Sequence, residues 1–251
     1  MCFSRFHTSV LQQQANYARN YIQVEVQDAA ASTALDVSTS SGTSTWEFWS
    51  DLGLENTYTT NSSNHTWTGT TDKKVRFFPP SGDWALVAGT LAWNGKQLKG
   101  PIDPNFGKLE NILQLRLYNN SLTGSIPDFT NLPNLQYLYL QGNSLTGGIP
   151  DIGTNHPALI TCRLQNNQLS GLDTPWSISA TTTEFRADGN ALTTAAHINE
   201  ILVRADAAGA VNGLLNVSGG TNAAPDGSSG GFDGLTARAN LIGKGWTVTT
   251  N

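Results

Sequence analysis

The chain has 251 residues, which is enough for one large domain or two small ones. Only 13% of the residues are charged and the formal net charge is −5, so the sequence offers no basic surface of the kind that binds nucleic acid. No stretch approaches the roughly 20 apolar residues of a membrane-spanning helix, which argues against membrane insertion.

Residues 1–20 contain no acidic residue and little hydrophobic periodicity. They also lack the apolar run of roughly seven or more residues that marks a secretory signal peptide, so none is predicted. Such a segment is either a flexible terminus or an arm that becomes ordered against a neighbouring subunit. We predict a docking arm that is dispensable for folding and needed for attachment to a larger assembly.

Residues 21–84 are predicted to form a small β-rich module. The segments YIQVEVQ, STWEFWS and KKVRFF alternate apolar and polar residues, and Ser, Thr, Gly and Asn separate them as turns. The layout is similar to PKD-type β-sandwich modules that precede repeats in bacterial proteins; the alternative is a β-cap on the repeats that follow. The aromatic residues predicted to supply its core are Trp46, Phe48, Trp49, Tyr58 and Trp67.

Residues 85–192 contain an internal repeat with the pattern L-x-x-L-x-L-x-x-N-x-L-x-G-x-I-P. Two nearly complete units run from Ile112 to Pro127 and from Leu135 to Pro150. A third unit loses the final Ile-Pro, a fourth is degenerate, and an upstream unit has Lys96 in the Asn position. The Asn position recurs at residues 96, 120, 143, 167 and 190, so the period alternates between 24 and 23 residues.

The repeat predicts a parallel solenoid. Each L-x-L segment is expected to form a short strand beside the same strand of the next coil, with the leucines pointing inward. An Asn amide both donates and accepts, so the repeated Asn can bond the backbone of adjacent coils. Lys96 cannot accept a hydrogen bond, so the ladder should end there. The predicted ladder consists of Asn120, Asn143, Asn167 and Asn190.

This pattern resembles the plant-type subclass of the leucine-rich-repeat family. The resemblance covers residues 88–192 and is most specific at residues 112–150. It implies one right-handed solenoid with a parallel sheet on its concave side. Similar repeats also occur in bacterial surface proteins and in bacteriophage virion proteins, so the resemblance implies the fold more directly than the function.

Residues 193–251 are predicted to form an α/β cap. A helix beginning near Ala195, a strand with Leu215 and Val217 inward, a loop over residues 218–232, a second helix and a final strand would extend the parallel sheet and cover its open end. The tail is similar to C-termini of phage and bacterial repeat proteins. The predicted fold class is therefore an α/β leucine-rich-repeat solenoid with an N-terminal β module and a C-terminal α/β cap.

The sequence contains no recognisable catalytic or metal-binding motif. The four histidines are scattered through the chain, and no metal spacing, phosphate loop or nucleophile motif is present. Cys2 and Cys162 form no zinc pattern, and Cys162 occupies a position where the repeat places a core residue. We therefore predict a protein that is not an enzyme, with no catalytic residue, cofactor or metal.

The residues between the leucines are predicted to line the concave face. They are rich in Tyr, Arg and Gln, which are common in binding surfaces, although any exposed sheet face must also be polar. The predicted ligand-binding residues are Arg116, Tyr118, Tyr137, Tyr139, Gln141, Arg163, Gln165 and Arg186.

Together these features favour a structural or adhesive protein of a bacteriophage virion, located in head decoration or in the tail. Its partners would be other virion proteins or copies of itself, or else a host surface protein or glycan. The alternative is a recognition protein of the bacterial cell surface or extracellular space. A plant-type receptor fragment is disfavoured because the paired cap cysteines are missing.

Overall fold

The structure is a computed structural model that describes residues 20–39 and 41–251. The predicted docking arm lies outside the described residues except for Asn20, and so do Cys2 and His7. Within the described residues the strands form two long sheets, of nine and eight strands, which enclose one continuous apolar core.

The nine-stranded sheet, here called the long sheet, contains the L-x-L strands. Leu115, Leu138, Cys162 and Phe185 pair in register on successive strands, and every one of these pairings is parallel. This confirms the predicted parallel solenoid. The parallel strands are β7 (Val87–Ala92), β9 (Asn111–Arg116), β11 (Tyr137–Tyr139), β13 (Thr161–Arg163), β15 (Glu184–Arg186), β16 (Leu214–Asn216) and β17 (Thr247–Thr249).

The eight-stranded sheet, here called the second sheet, was not expected from the sequence. Its parallel strands cover the L-x-G-x-I segments, for which the sequence analysis predicted no strand. Leu122 and Leu145 point into the core while Thr123 and Thr146 are exposed, so these segments alternate as strands do. The strands are β8 (Leu98–Pro101), β10 (Ser121–Ser125), β12 (Ser144–Ile149) and β14 (Gln168–Leu172).

The N-terminal strands continue both sheets with antiparallel pairing. Strand β1 pairs with β8 of the second sheet, and β2 pairs with β7 of the long sheet. Three of these strands lie in segments that had been interpreted as turns. The strands are β1 (Ile22–Val26), β2 (Ser32–Thr39), β3 (Thr45–Ser50), β4 (Gly53–Thr59), β5 (Ser62–Thr66) and β6 (Lys74–Phe78).

The aromatic core of the N-terminal strands merges with the solenoid core. Trp46 is fully buried, and its ring lies 5.8 Å from that of Trp93 in the first coil. Trp49 was predicted to be a core residue, but its ring lies at a partly exposed site against the Arg76 guanidinium, at 4.6 Å. The reason is that Trp49 follows Phe48 directly, and neighbouring strand residues point to opposite faces.

Two helices carry the C-terminal connections. Helix α1 (Ala195–Ala208) links β15 to β16, and helix α2 (Gly234–Gly243) links β16 to β17. Both bury one apolar side, with Ile198 and Leu241 fully enclosed. The parallel long sheet thus continues into this region. No helix of the described residues is long and apolar enough to cross a membrane.

The asparagine ladder joins successive coils. Asn167 shows the arrangement: its Oδ1 accepts from the N–H of Leu145 at 3.0 Å, and its Nδ2 donates to the carbonyls of Leu140 (3.1 Å) and Leu164 (3.0 Å). The first described rung is Asn120, which accepts from the backbone of Lys96. The predicted rungs Asn120, Asn143, Asn167 and Asn190 all make such bonds.

The structure adds a fifth rung at Asn222. Its side chain accepts from Leu192 and donates to Ala187 and Val217. This position was predicted to lie in a plain loop. Helix α1 lengthens the coil before it, so Asn222 falls outside the period of 23 or 24 residues and its role was hidden.

The solenoid core predicts a large cost for truncating a repeat leucine. Leu138 is 1% exposed and sits between Leu115 and Cys162 on the neighbouring strands. We expect Leu138→Ala to lower the free energy of unfolding by about 2–5 kcal/mol, since it removes buried methyl groups and leaves a cavity. Urea unfolding of the variant measures this value. A near-neutral result would contradict the inward orientation of Leu138.

A buried carboxylate in the N-terminal strands predicts acid sensitivity. Burial of Glu55 acts to raise its pKa, but hydrogen bonds from Ser50, Thr68, Gly69 and His65 outweigh burial and lower the pKa to about 2. Because the pKa is lowered on folding, this group stabilises the fold above its ordinary pKa of 4.5. That stability is lost as the pH falls towards 2.

We expect the free energy of unfolding of Glu55→Gln to depend less on pH in the acidic range than that of the wild type. At neutral pH the variant should be less stable by roughly 2 kcal/mol, because the carboxylate accepts several hydrogen bonds in the folded state. The difference from wild type should shrink as the pH falls from about 4.5 towards 2. Urea unfolding at several pH values tests this, and a pH-independent difference would contradict it.

Candidate ligand-binding face

The outward side chains of the long sheet form ordered columns across the coils. The register pairs Ala92 with Arg116, then Tyr139, Arg163 and Arg186 on successive strands. Neighbouring strands lie about 4.8 Å apart, so these side chains form one continuous surface. We call this row of side chains the central column. We call the surface of Arg116, Tyr118, Tyr137, Tyr139 and Arg163 the Tyr–Arg patch.

Tyr139 lies at the centre of the Tyr–Arg patch. The guanidinium carbons of Arg116 and Arg163 lie 5.7 Å and 5.3 Å from its ring centroid, within the range of cation–π contacts. Tyr137, two residues earlier on the same strand, stacks at 6.2 Å with an interplanar angle of 18°. Tyr118 meets the same ring edge-on at 6.4 Å. The patch is therefore held together by contacts among its own side chains.

The arginines of this face differ in their partners. Arg163 forms a two-pronged ion pair with Glu184, at 2.8 and 3.0 Å, and this hydrogen bonding raises the pKa of Arg163. Arg186 forms a similar pair with Asp188, with both bonds at 3.0 Å. Arg116 donates to the amide oxygen of Gln114 instead. Two of the three cations are thus already paired with a carboxylate.

A shallow cavity of about 350 Å³ opens on the Tyr–Arg patch. Gln141 completes its wall beside Arg116, Tyr118, Tyr139 and Arg163. Gln165 was predicted to be an exposed ligand-binding residue on the next strand, but it is only 8% exposed. The side-chain oxygens of both glutamines are enclosed and accept no hydrogen bond within residues 20–39 and 41–251. Of these two glutamines, Gln141 lines the cavity and Gln165 does not.

A second cavity of about 300 Å³ lies elsewhere on the solenoid, beside the turns that follow the Ile-Pro segments. Its aspartates serve the turns themselves. Asp151 accepts from the backbone of Gly153 and from both the backbone and the hydroxyl of Ser177. Its lining residues are Asp128, Pro150, Asp151, Asn155, Asp173, Thr174 and Pro175.

The titratable residues do not converge on a reactive centre in the part of the chain that the structure describes. His65 bonds Glu55, His156 is buried beside the carbonyl of Leu132, and His197 bonds Thr194. Burial also lowers the pKa of His156 and raises that of the Cys162 thiol. No group of three or more His, Cys, Asp or Glu side chains that could hold a metal ion occurs among the described residues.

Comparison with known families agrees with this architecture. Residues 110–152 match the family model described as "Leucine Rich repeats (2 copies)". The chain therefore contains leucine-rich repeats within a leucine-rich-repeat solenoid. A search of curated protein sequences gives no match.

Two solved structures, those of GASSHO1/SCHENGEN3 and PEPR1–AtPEP1, show the same fold. The chain is similar to the ectodomain of the receptor kinase GASSHO1/SCHENGEN3 from Arabidopsis thaliana, with 22% identity and a TM-score of 0.51 over 68% of this chain and 19% of that one. The PEPR1–AtPEP1 structure matches with 20% identity and a TM-score of 0.50 over 69% and 23%. The BIR2 ectodomain from Arabidopsis thaliana is 27% identical over 40% and 54%, with a TM-score of 0.35. The chain thus spans about half of the BIR2 ectodomain and a smaller share of the larger receptors.

Proposed function

We propose that this chain is a non-enzymatic recognition module that binds a polypeptide partner through the Tyr–Arg patch. The observation that carries the proposal is the cavity on the outer face of the long sheet, where Tyr139 and its neighbours are only partly buried. Tyr and Arg are the side chains that most often dominate the energy of protein interfaces. They occupy adjacent strands here, so a partner can contact all of them at once.

The state of the patch before binding also supports this role. Side chains that already hold one another lose less conformational entropy when a partner arrives. Tyr139 is fixed by two arginines and two tyrosines, and Arg163 is fixed by Glu184. Solenoids of this fold occur in complexes, as for GASSHO1/SCHENGEN3 with CASPARIAN STRIP INTEGRITY FACTOR 2.

The proposal predicts that Tyr139→Ala and Arg163→Ala abolish binding without unfolding the protein. Peptides selected from a random display library on the wild-type chain serve as the probe. Their affinity should fall at least about tenfold for either variant, as expected for central aromatic and Arg contacts. The unfolding free energy should fall by only about 1 kcal/mol, because Tyr139 is half-buried and loses mainly cation–π contacts.

Thr146→Ala is the matched control, since Thr146 is exposed on the second sheet. It should change neither affinity nor stability. Selected peptides that bind all three variants as tightly as wild type would contradict the proposal.

We propose further that the module is carried by a bacteriophage virion, in head decoration or in the tail. Support for this location comes from the low charge content and from the resemblance of the C-terminal tail to phage repeat proteins. The partner would then be another virion protein or a host surface protein. Mass spectrometry of purified virions should detect the chain. Its detection only on the bacterial surface or in the medium would favour the alternative location.

A further inference from the structure

Arg116 differs from the other arginines on this face. It is the one guanidinium of the Tyr–Arg patch and its central column that has no carboxylate partner within the described residues. Its guanidinium donates to the neutral amide of Gln114, and its Nε is enclosed and donates to none of the described residues. Five N–H groups point from this side chain, so most of its donor capacity is unused.

The charges around Arg116 favour an anion. Arg163 and Arg186 are balanced by Glu184 and Asp188, whereas Arg116 leaves one positive charge in excess on the face. This excess lies on a chain whose formal net charge is −5. A cation that is half-buried and unpaired favours an incoming negative group, because a charge-assisted hydrogen bond is stronger than a neutral one.

Gln141 lines the same cavity. Its side-chain oxygen is enclosed and accepts no hydrogen bond from the described residues. An unpaired buried acceptor is unfavourable, so a rotation of this side chain that lets its oxygen accept from a ligand N–H would be favoured. A peptide offers both groups, an acidic side chain and backbone N–H donors.

A stacked sugar fits this surface less well. Sugars bind aromatic residues through an open ring face, but the Tyr139 ring lies between the guanidinium groups of Arg116 and Arg163 on the two flanking strands. Around the Tyr139 ring, the groups that face outward are therefore guanidinium groups, which favour a charged or hydrogen-bonding ligand.

We infer that Arg116 is the anchor for an acidic side chain, Asp or Glu, of an extended peptide segment, and that Gln141 turns to accept from the backbone of that segment. This inference rests on the proposed recognition function and specifies the ligand. Arg116 is then the residue that selects acidic partners, while Tyr139 provides contact area for any partner.

The test uses peptides selected from a random display library on the full wild-type chain. We expect the selected peptides to share an Asp or Glu at one position. Changing that residue to Asn or Gln should weaken binding to wild type at least about tenfold, and Arg116→Gln should weaken binding of the original peptide by a similar factor. The two changes together should cost no more than either alone, because they remove the same contact.

Arg204→Gln is the matched control. Arg204 lies on helix α1, is exposed and pairs with Glu200, so the same loss of charge there should leave affinity within about twofold. Binding by wild type should also weaken with added salt, and binding by Arg116→Gln should respond less.

The outcomes separate this inference from the proposed function. Selected peptides that need Tyr139 but share no acidic residue, or whose acid and Arg116 act additively, would overturn the inference and leave the proposed function in place. Peptides that need neither Tyr139 nor Arg116 would overturn both. Tight binding of heparin that depends on Arg116, with no peptide selected, would overturn the peptide assignment in favour of an anionic polysaccharide.

Discussion

Asn167→Ala should lower the free energy of unfolding by about 2–3 kcal/mol. The substitution leaves the buried N–H of Leu145 without its side-chain acceptor. The carbonyls of Leu140 and Leu164 each lose one of two side-chain donors and keep the bond from Asn143 or Asn190. Buried groups left unpaired cost about 1–3 kcal/mol each, although such costs do not add fully. Urea unfolding monitored by circular dichroism measures the change.

Gln168→Ala is the control for this substitution. Gln168 is the next residue and its side chain is exposed, so its removal should change stability by no more than about 0.5 kcal/mol. Asn167→Asp should behave like Asn167→Ala or worse at neutral pH, since it replaces the donor with an acceptor that faces two carbonyls. Equal stability of the alanine variants at positions 167 and 168 would mean that the ladder contributes little.

Gly142→Ala should be the other strongly destabilising substitution in the solenoid. Gly142 has φ +67°, which disfavours any side chain, and an added Cβ would lie 2.5 Å from Oδ1 of Asn119 in the preceding coil. The conformational cost is about 1–2 kcal/mol, and turning the exposed Asn119 side chain aside adds up to about 1 kcal/mol. Gly189 meets Asn166 at the same distance, so the arrangement recurs two coils later.

Two comparisons separate the backbone cost of a positive φ from the cost of the contact with Asn119. Gly95→Ala has a similar φ of +63° and no atom within 4 Å of the added Cβ, so it measures the conformational cost alone. Asn119→Gly removes the obstructing side chain at a position that itself has φ +54°. In that background Gly142→Ala should cost about as much as Gly95→Ala. An undiminished cost in the double variant would show that the Asn119 contact is not the cause.

Residue spacing was sufficient to predict the central parallel strands of the long sheet, from β7 to β15. The leucines recur at a fixed interval, and a solenoid buries them only if equivalent strands stack in parallel. The same spacing places Arg116, Tyr139 and Arg163 on adjacent strands. The Asn rungs at 120, 143, 167 and 190 followed from the same spacing.

The second sheet could not be predicted in the same way. Its strands contain Gly124 and Gly147, which have φ of +74° and +81° and are typical of turns. In this solenoid the coils before and after pair with these segments and keep them extended. Tertiary pairing therefore overrides a local turn preference.

The candidate site was predicted in position but not in detail. The repeat spacing places the three arginines on neighbouring coils, but only side-chain geometry shows that Glu184 and Asp188 pair with Arg163 and Arg186 and leave Arg116 without a carboxylate. The burial of Gln165 was likewise invisible, because its column position suggested an exposed residue.

Photo-crosslinking tests the proposed recognition face most directly. A photoreactive phenylalanine analogue at position 137 lies in the Tyr–Arg patch, and the same analogue at position 146 lies on the exposed side of the second sheet. With a peptide selected on the wild-type chain, we predict crosslinking from position 137 and none from position 146. Crosslinking from position 146 with none from position 137 would contradict the assignment of the long sheet as the binding surface.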